Sequence, residues 1–345
     1  MSVTDDLRRH PVTSPDVVAV GEAMLLLQPP AGDALGSAHH LEVHIAGAEL
    51  NVCAAVARLG LRASFASRVG DDPFGLRVVA EARALGVAAD LVEVDPERPT
   101  GVYFKDVRPD GQRRVHYYRR GSAAAALGRD DAARILACRP RAVVFTGITA
   151  ALGQGPLDLV RSLITGAHRA GTMVVLDPNF RPNLAPTERI ADALRPMLDR
   201  VGLLALGQDE SADLLGATHP EDVFAAAHAA GVDEVLLKGG PDGVWYAGPD
   251  GAPRHMPSAA ATVLDPVGAG DAMLGGYLAA RLSGAPPEAA ARIGTHLAAA
   301  IVATYGDNAG LPPAAEARAL LATALRAESP AASGTPGLPQ RLAGS

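Results

Sequence analysis

The chain has 345 residues, 48% of them hydrophobic, enough for one large core or a core with a small appendage. Its net charge is −7, which argues against nucleic acid as a partner. No apolar run approaches the roughly 20 residues of a membrane span, and residues 1–15 lack the apolar core of a secretory signal, so a cytoplasmic protein with no membrane partner is expected.

Residues 1–15 and 328–345 are rich in Pro, Gly, Ser, Ala or mixed charge and read as mobile tails around a domain of residues 16–327. Apolar runs at 17–20, 63–69, 142–146, 173–177, 202–205 and 234–237 read as strands. Helical patterns fall at 49–59, 74–85, 156–170, 209–215, 223–230, 270–282 and 288–305. This alternation, with nearly continuous Val, Leu and Ile in the strands, predicts an α/β fold with a mainly parallel central sheet covered by helices on both faces. Ligands in such sheets sit beyond the carboxyl ends of the strands. Two segments break the alternation. Residues 25–45 alternate around Pro29-Pro30, and residues 100–120 alternate around Asp110-Gly111, a hairpin-turn signal. Together they predict a small β-sheet projecting as a lid over a substrate. Exposed strands of that kind tend to associate, so a homo-oligomer through the lid is expected. Cys53 and Cys138 lie in apolar surroundings without ligand spacing and read as buried hydrophobes.

The densest chemistry lies at Asp265-Pro266-Val267-Gly268-Ala269-Gly270-Asp271. The β-branched run before it, Ala261-Thr262-Val263-Leu264, reads as the end of a strand, and the small and apolar run after it reads as a buried helix. Gly268, Ala269 and Gly270 then form a tight turn into a helix N-terminus. Unpaired N–H groups and the positive end of the helix dipole make an anion site there. Asp271 fits two readings: an Asp favoured by the dipole, or a base that takes a proton from a hydroxyl. In the second reading the N–H groups hold the charge on a transferring phosphoryl group.

The full string through Ala272 resembles the signature of the PfkB, or ribokinase-like, sugar kinases, and the resemblance extends over about residues 17–320. It implies a ribokinase-like three-layer αβα sandwich, ATP and Mg²⁺ as cofactors, and Asp271 as the catalytic base. Ala46-Gly47-Ala48-Glu49-Leu50-Asn51-Val52 looks like the family's glycine-rich stretch, in which Gly47 admits a sugar and Asn51 hydrogen-bonds a hydroxyl. Ala46 stands where the family has its first Gly. Gly207-Gln208-Asp209-Glu210 resembles the family's Asn-x-x-Glu element, which implies that Glu210 serves the metal through water, with Gly207 in place of the Asn. Lys238-Gly239-Gly240-Pro241-Asp242-Gly243 matches a loop beside the nucleotide. Lys238, Gly239 and Gly243 would then join Gly268 and Gly270 as cofactor contacts, although Pro-Asp-Gly is also an ordinary turn. The small-residue helix over 298–304 leads to Asp307, which the resemblance puts within reach of substrate and near a site for a monovalent cation such as K⁺. Close packing accounts for that helix face equally well.

Within the family, four stretches are most similar to the 2-keto-3-deoxygluconate kinases: Thr100-Gly101-Val102-Tyr103, Tyr117-Tyr118-Arg119-Arg120-Gly121-Ser122-Ala123, Thr146-Gly147-Ile148-Thr149 and Asp177-Pro178-Asn179-Phe180-Arg181. The likeness implies a sugar acid as substrate. Arg119 and Arg181 would clamp its carboxylate with planar, bidentate geometry. Tyr103, Tyr117 and Ile148 would line its carbon chain. Kinases of fructose, 2-keto-3-deoxygalactonate, ribose or a nucleoside are the alternative, and so is a sugar-binding protein without catalysis, against which an intact Asp271 argues.

Overall fold

The computed structural model describes residues 14–30, 33–107, 113–248 and 251–326. Most of the expected N-terminal tail, the whole C-terminal tail and the Asp110-Gly111 turn lie outside the described residues. In chain order the strands are β1 (Val17–Val20), β2 (Met24–Gln28), β3 (Glu42–Ala46), β4 (Ala63–Gly70), β5 (Ala88–Asp95), β6 (Val102–Val107) and β7 (Arg113–Tyr118). They continue as β8 (Ala142–Thr146), β9 (Met173–Asp177), β10 (Leu203–Gly207), β11 (Glu234–Lys238), β12 (Val244–Ala247) and β13 (Pro253–Met256). The helices begin with α1 (Ala48–Arg58), α2 (Pro73–Ala84), α3 (Arg129–Ala137), α4 (Gly147–Ala151), α5 (Gln154–Ala170) and α6 (Thr187–Leu194). They end with α7 (Ser211–Leu215), α8 (Pro220–Ala229), α9 (Ala269–Leu282), α10 (Pro287–Val302) and α11 (Ala314–Arg326).

The large sheet runs β13-β12-β11-β10-β9-β8-β1-β4-β5 and is parallel from β11 through β5, with an antiparallel hairpin, β12 and β13, at one edge. Helices cover both faces, so the central strands are buried along their whole length: every residue of β1 and β8 is inaccessible. One face packs against α1, α2, α9 and α10, the other against α3, α5, α6 and α8. The expected αβα sandwich is therefore the observed one. Strand order reverses at β1 and β8, since the chain winds from β1 to β4 and β5 on one side and from β8 to β11 on the other. Such a reversal opens a crevice at the carboxyl ends of the strands.

The edge elements were harder to read. β5 carries Asp90 and Glu93 and alternates between buried and accessible positions, so no continuous apolar run marks it. One expected strand is absent. Residues 261–264 form no ladder, and Val263 and Leu264 are 62% and 47% exposed. The sheet edge is already occupied by the β12–β13 hairpin, and the chain instead crosses to the end of α10, where the Leu264 N–H donates to the Val302 carbonyl at 2.7 Å.

The lid is present. β3, β2, β6 and β7 form a second sheet, with β2 parallel to β6 and the outer pairs antiparallel. Met24, Leu26, Ala46 and Tyr103 make its buried face, with Val115 and Tyr117 packed against them. Among the described residues no helix is long and apolar enough to cross a membrane.

The positions of α1 and α9 fix the site, and they lie in close contact. A Cβ on Gly275 would sit 2.6 Å from Ala55 Cβ and 2.7 Å from the Val52 carbonyl oxygen. Gly275→Ala is therefore expected to destabilise by about 1–3 kcal/mol through overpacking, outweighing the roughly 1 kcal/mol that Ala gains in a helix. A thermal melt checks this, and an unchanged or higher Tm would mean that the two helices can part freely.

Candidate active site

A chamber of about 410 Å³ opens beyond the carboxyl ends of the central strands, under the lid. Its base is the glycine turn ahead of α9. Gly268 has a φ of 82°, the left-handed region, and a Cβ there would lie 2.5 Å from the Asp307 carbonyl oxygen. Conformation and close approach both require glycine. Gly268 and Gly270 line the chamber, while Ala269, the first residue of α9, does not.

Asp271 reaches the chamber from the first turn of α9. Asn51, on α1, donates through Nδ2 to Asp271 Oδ2 at 2.8 Å and to Asp307 Oδ2 at 3.4 Å. Its Oδ1 accepts from Asn308 Nδ2 at 2.7 Å. The amide expected to meet a sugar hydroxyl is thus bonded to protein through both its nitrogen and its oxygen, and it orients the two carboxyl groups. Burial pushes Asp271 up to about 7, against the pull of the Asn51 hydrogen bond and with help from the Asp177 charge. Burial also raises Asp307, again against Asn51. A carboxyl poised near neutrality and aimed by one amide has the properties of a general base.

A second polar cluster joins the ends of β9, β10 and β11. Lys238 Nζ donates to Asp177 Oδ2 at 2.5 Å. Burial lowers the ammonium pKa, but the Asp177 and Glu210 carboxylates outweigh it and leave it raised. Asp177 Oδ1 is buried with no hydrogen-bond partner among the described residues. Glu210 accepts the Phe180 N–H at 2.7 Å and the Gly207 N–H at 2.6 Å, and burial followed by the Asp177 charge raises its carboxyl. Asp177 had not been singled out. Its signal was its place as the last residue of a buried parallel strand. Gly239 and Gly243 do not line the chamber. A Cβ on Gly239 would lie 2.5 Å from the Trp245 ring, and Gly243, with φ 101°, would clash with the Met256 carbonyl. Both glycines are needed by the backbone around the β12–β13 hairpin, a need that the bare spacing does not distinguish from that of a nucleotide loop.

At the lid end, the Tyr103 and Tyr117 rings lie 5.5 Å apart, and the Arg119 guanidinium sits 5.5 Å from the Tyr117 ring. Arg119 is buried, and its Nε donates to Glu22 Oε2 at 2.6 Å. Ser122 Oγ donates to the other Glu22 oxygen at 2.5 Å. Glu22 was not foreseen, and it takes up much of the charge expected for a free clamp. Arg181 differs. The φ of 39° at Asn179 turns the segment after β9, Arg181 lines the chamber with an accessible side chain, and it has no ion pair among the described residues. Gly47 caps α1, and a Cβ there would lie 2.8 Å from the Glu22 carbonyl oxygen. Ile148 lines the chamber from α4. Glu49, also unforeseen, accepts the Thr146 and Thr149 hydroxyls at 2.6 Å each, and burial raises its carboxyl.

Known proteins resemble this chain over most of its length. A 2-dehydro-3-deoxygluconokinase of Thermoproteus tenax is 36% identical over 311 residues, covering 88% of this chain and 94% of that protein. A 2-dehydro-3-deoxygalactonokinase of Haloferax volcanii is 31% identical and covers 86% of this chain and 94% of its own. The crystal structure of a PfkB protein from Polaromonas sp. JS666 superposes with a TM-score of 0.77 at 32% identity, over 88% of this chain and 98% of that one. The pfkB family of carbohydrate kinases matches residues 14–314. That match runs from β1 to the start of α11 and takes in lid, chamber and glycine turn alike: the chain belongs to the pfkB family of carbohydrate kinases.

Proposed function

We propose that the chain uses ATP to phosphorylate the terminal primary hydroxyl of 2-keto-3-deoxygluconate, the compound also called 2-dehydro-3-deoxygluconate, giving 2-keto-3-deoxy-6-phosphogluconate. One observation carries the reading: Asp271 and Arg181, which has no ion pair among the described residues, line the same chamber, with the lid tyrosines lining it as well. Arg181 binds the substrate carboxylate, and Tyr103, Tyr117 and Ile148 flank its carbon chain. Asp271 takes the proton of the hydroxyl as that oxygen attacks the γ-phosphorus and the bond to the leaving ADP oxygen breaks. The N–H groups at the start of α9 hold the transferring oxygens, and Lys238 meets the phosphate chain as a fixed cation. Mg²⁺, when bound, would supply Lewis-acid neutralisation of the phosphate oxygens. The residues fit it: Asp177 keeps an oxygen without a partner among the described residues, beside Glu210, and these two carboxyl groups would hold the metal through its waters. A monovalent cation such as K⁺ beside Asp307 belongs to the same reading, and turnover with and without K⁺ checks it. The outer lid face carries Phe104 edge-on to Tyr118, which is 68% exposed, and this supports a homo-oligomer through the lid.

A coupled ADP-release assay with Mg-ATP tests the substrate. Turnover of 2-keto-3-deoxygluconate, with fructose, ribose and adenosine inert, is the expected result, and turnover confined to a neutral sugar would overturn it. A kinase of a neutral sugar is the second reading, and the Glu22–Arg119 pair favours it, because it leaves one uncompensated guanidinium instead of two. In the same assay kcat/KM is expected to rise with pH and level off above about 7, where Asp271 loses its proton. A profile that is flat through neutrality would remove Asp271 from proton transfer.

A further inference from the structure

The lid strand that brings Tyr103 to the chamber brings a cation two residues later. Side chains at i and i+2 share one face of a strand, and both Tyr103 and Lys105 line the chamber. Lys105 is buried, and its Nζ donates to Asp265 Oδ2 at 2.6 Å. Asp265 is buried too, and it opens the glycine turn. Its other oxygen accepts the Val267 N–H at 3.2 Å within that turn. One carboxylate thus holds the lid with one oxygen and the turn with the other. The connection continues to the base. Gly268 lies against the Asp307 backbone, and the Asp307 carboxyl shares the Asn51 amide with Asp271.

Stability does not account for this pair. Removing an ammonium and a carboxylate from water costs both their hydration, and apolar side chains of similar volume are often at least as stabilising. What an apolar pair lacks is direction: a charged pair with short hydrogen bonds fixes the lid in one register over the turn.

We propose that Lys105 is a positioning residue whose ion pair with Asp265 ties the lid to the phosphate-binding turn, so that the turn reaches its transfer-competent shape only with the lid seated. The proposal rests on the sugar-kinase reading but not on which sugar is used.

Lys105→Met keeps the length and the apolar stem and removes the ammonium. It is expected to lower kcat by about 100-fold, the scale of a small misplacement at a reacting centre, with the KM for the sugar changed far less, since Arg181 and the tyrosines are untouched. ATP hydrolysis without sugar should rise as a share of total turnover. Because a buried Asp265 that has lost the ammonium would also weaken the fold, the Lys105→Met, Asp265→Asn double variant is measured beside it. Recovery of Tm with kcat still low and hydrolysis still uncoupled supports the tie. Recovery of kcat together with Tm, or a single variant that loses KM and kcat in proportion, overturns it. Wild-type turnover in the same assay separates this outcome from failure of the substrate assignment, since the comparison is made on whichever sugar the wild type phosphorylates.

Discussion

Replacing Asp271 with Asn is expected to lower kcat by about 10²–10⁴-fold, the contribution of a positioned general base, while leaving the chain folded. The substitution is nearly isosteric, and Asn51 Nδ2 keeps an oxygen to donate to in place of Asp271 Oδ2. Stability should even increase at alkaline pH. The folded carboxyl sits at about 7, above its ordinary value of 3.8, chiefly because burial disfavours its charge. A group raised in this way binds its proton more tightly when folded, so its contribution to stability is complete below the ordinary value and is lost as pH rises through about 7. An Asn never ionises and escapes that loss. Melts of both proteins should coincide below about pH 4, separate as pH rises toward 7 and keep a constant gap above it, the variant melting about 2 °C higher or more, a shift worth about 1 kcal/mol. A variant that keeps a tenth of the wild-type kcat would remove Asp271 from proton transfer. Melts that stay parallel at every pH would mean that the carboxyl is not strained by burial.

Asp271 was legible because its meaning is local: a glycine turn, a helix start and a carboxylate within seven residues fix both conformation and field. The central strands were legible for a similar reason, since burial on two faces writes itself as an unbroken apolar run. The partners that give these residues their chemistry carry no such mark. Asn51 lies 220 positions from Asp271, and only the packing of α1 against α9 shows that its amide is spent on two carboxylates. Glu22 and Arg119 are 97 positions apart. Nothing near Gly21-Glu22 announces that the carboxylate will turn toward the lid. Lys105 is one cation in an alternating strand until the lid folds over Asp265. The reverse error arose at residues 261–264, where β-branched residues imitate a strand although the hairpin has taken the sheet edge. Propensity and motif thus report backbone and residue type, and long-range pairing decides what each charge is free to bind.

That last distinction decides how the two arginines should respond. Arg181→Ala is expected to lower kcat/KM for 2-keto-3-deoxygluconate by about 10- to 150-fold, the worth of a charge-assisted hydrogen bond of 1.5–3 kcal/mol. Any neutral sugar that the enzyme accepts should be nearly unaffected, and Tm should hold, because the guanidinium has no ion pair among the described residues to lose. Arg119→Ala should behave otherwise. It strands Glu22, 3% exposed and still held by Ser122, as an uncompensated buried charge, at a cost of about 3–5 kcal/mol in stability. Adding Glu22→Gln should restore most of that stability. The activity left in the double variant then reports what Arg119 contributes to the substrate once its structural role is removed. If the double variant phosphorylates the sugar acid as well as the wild type does, Arg119 serves the lid alone and Arg181 is the whole of the carboxylate site. If it remains as slow as Arg181→Ala, the clamp has two arms, and Glu22 sets the geometry of one of them.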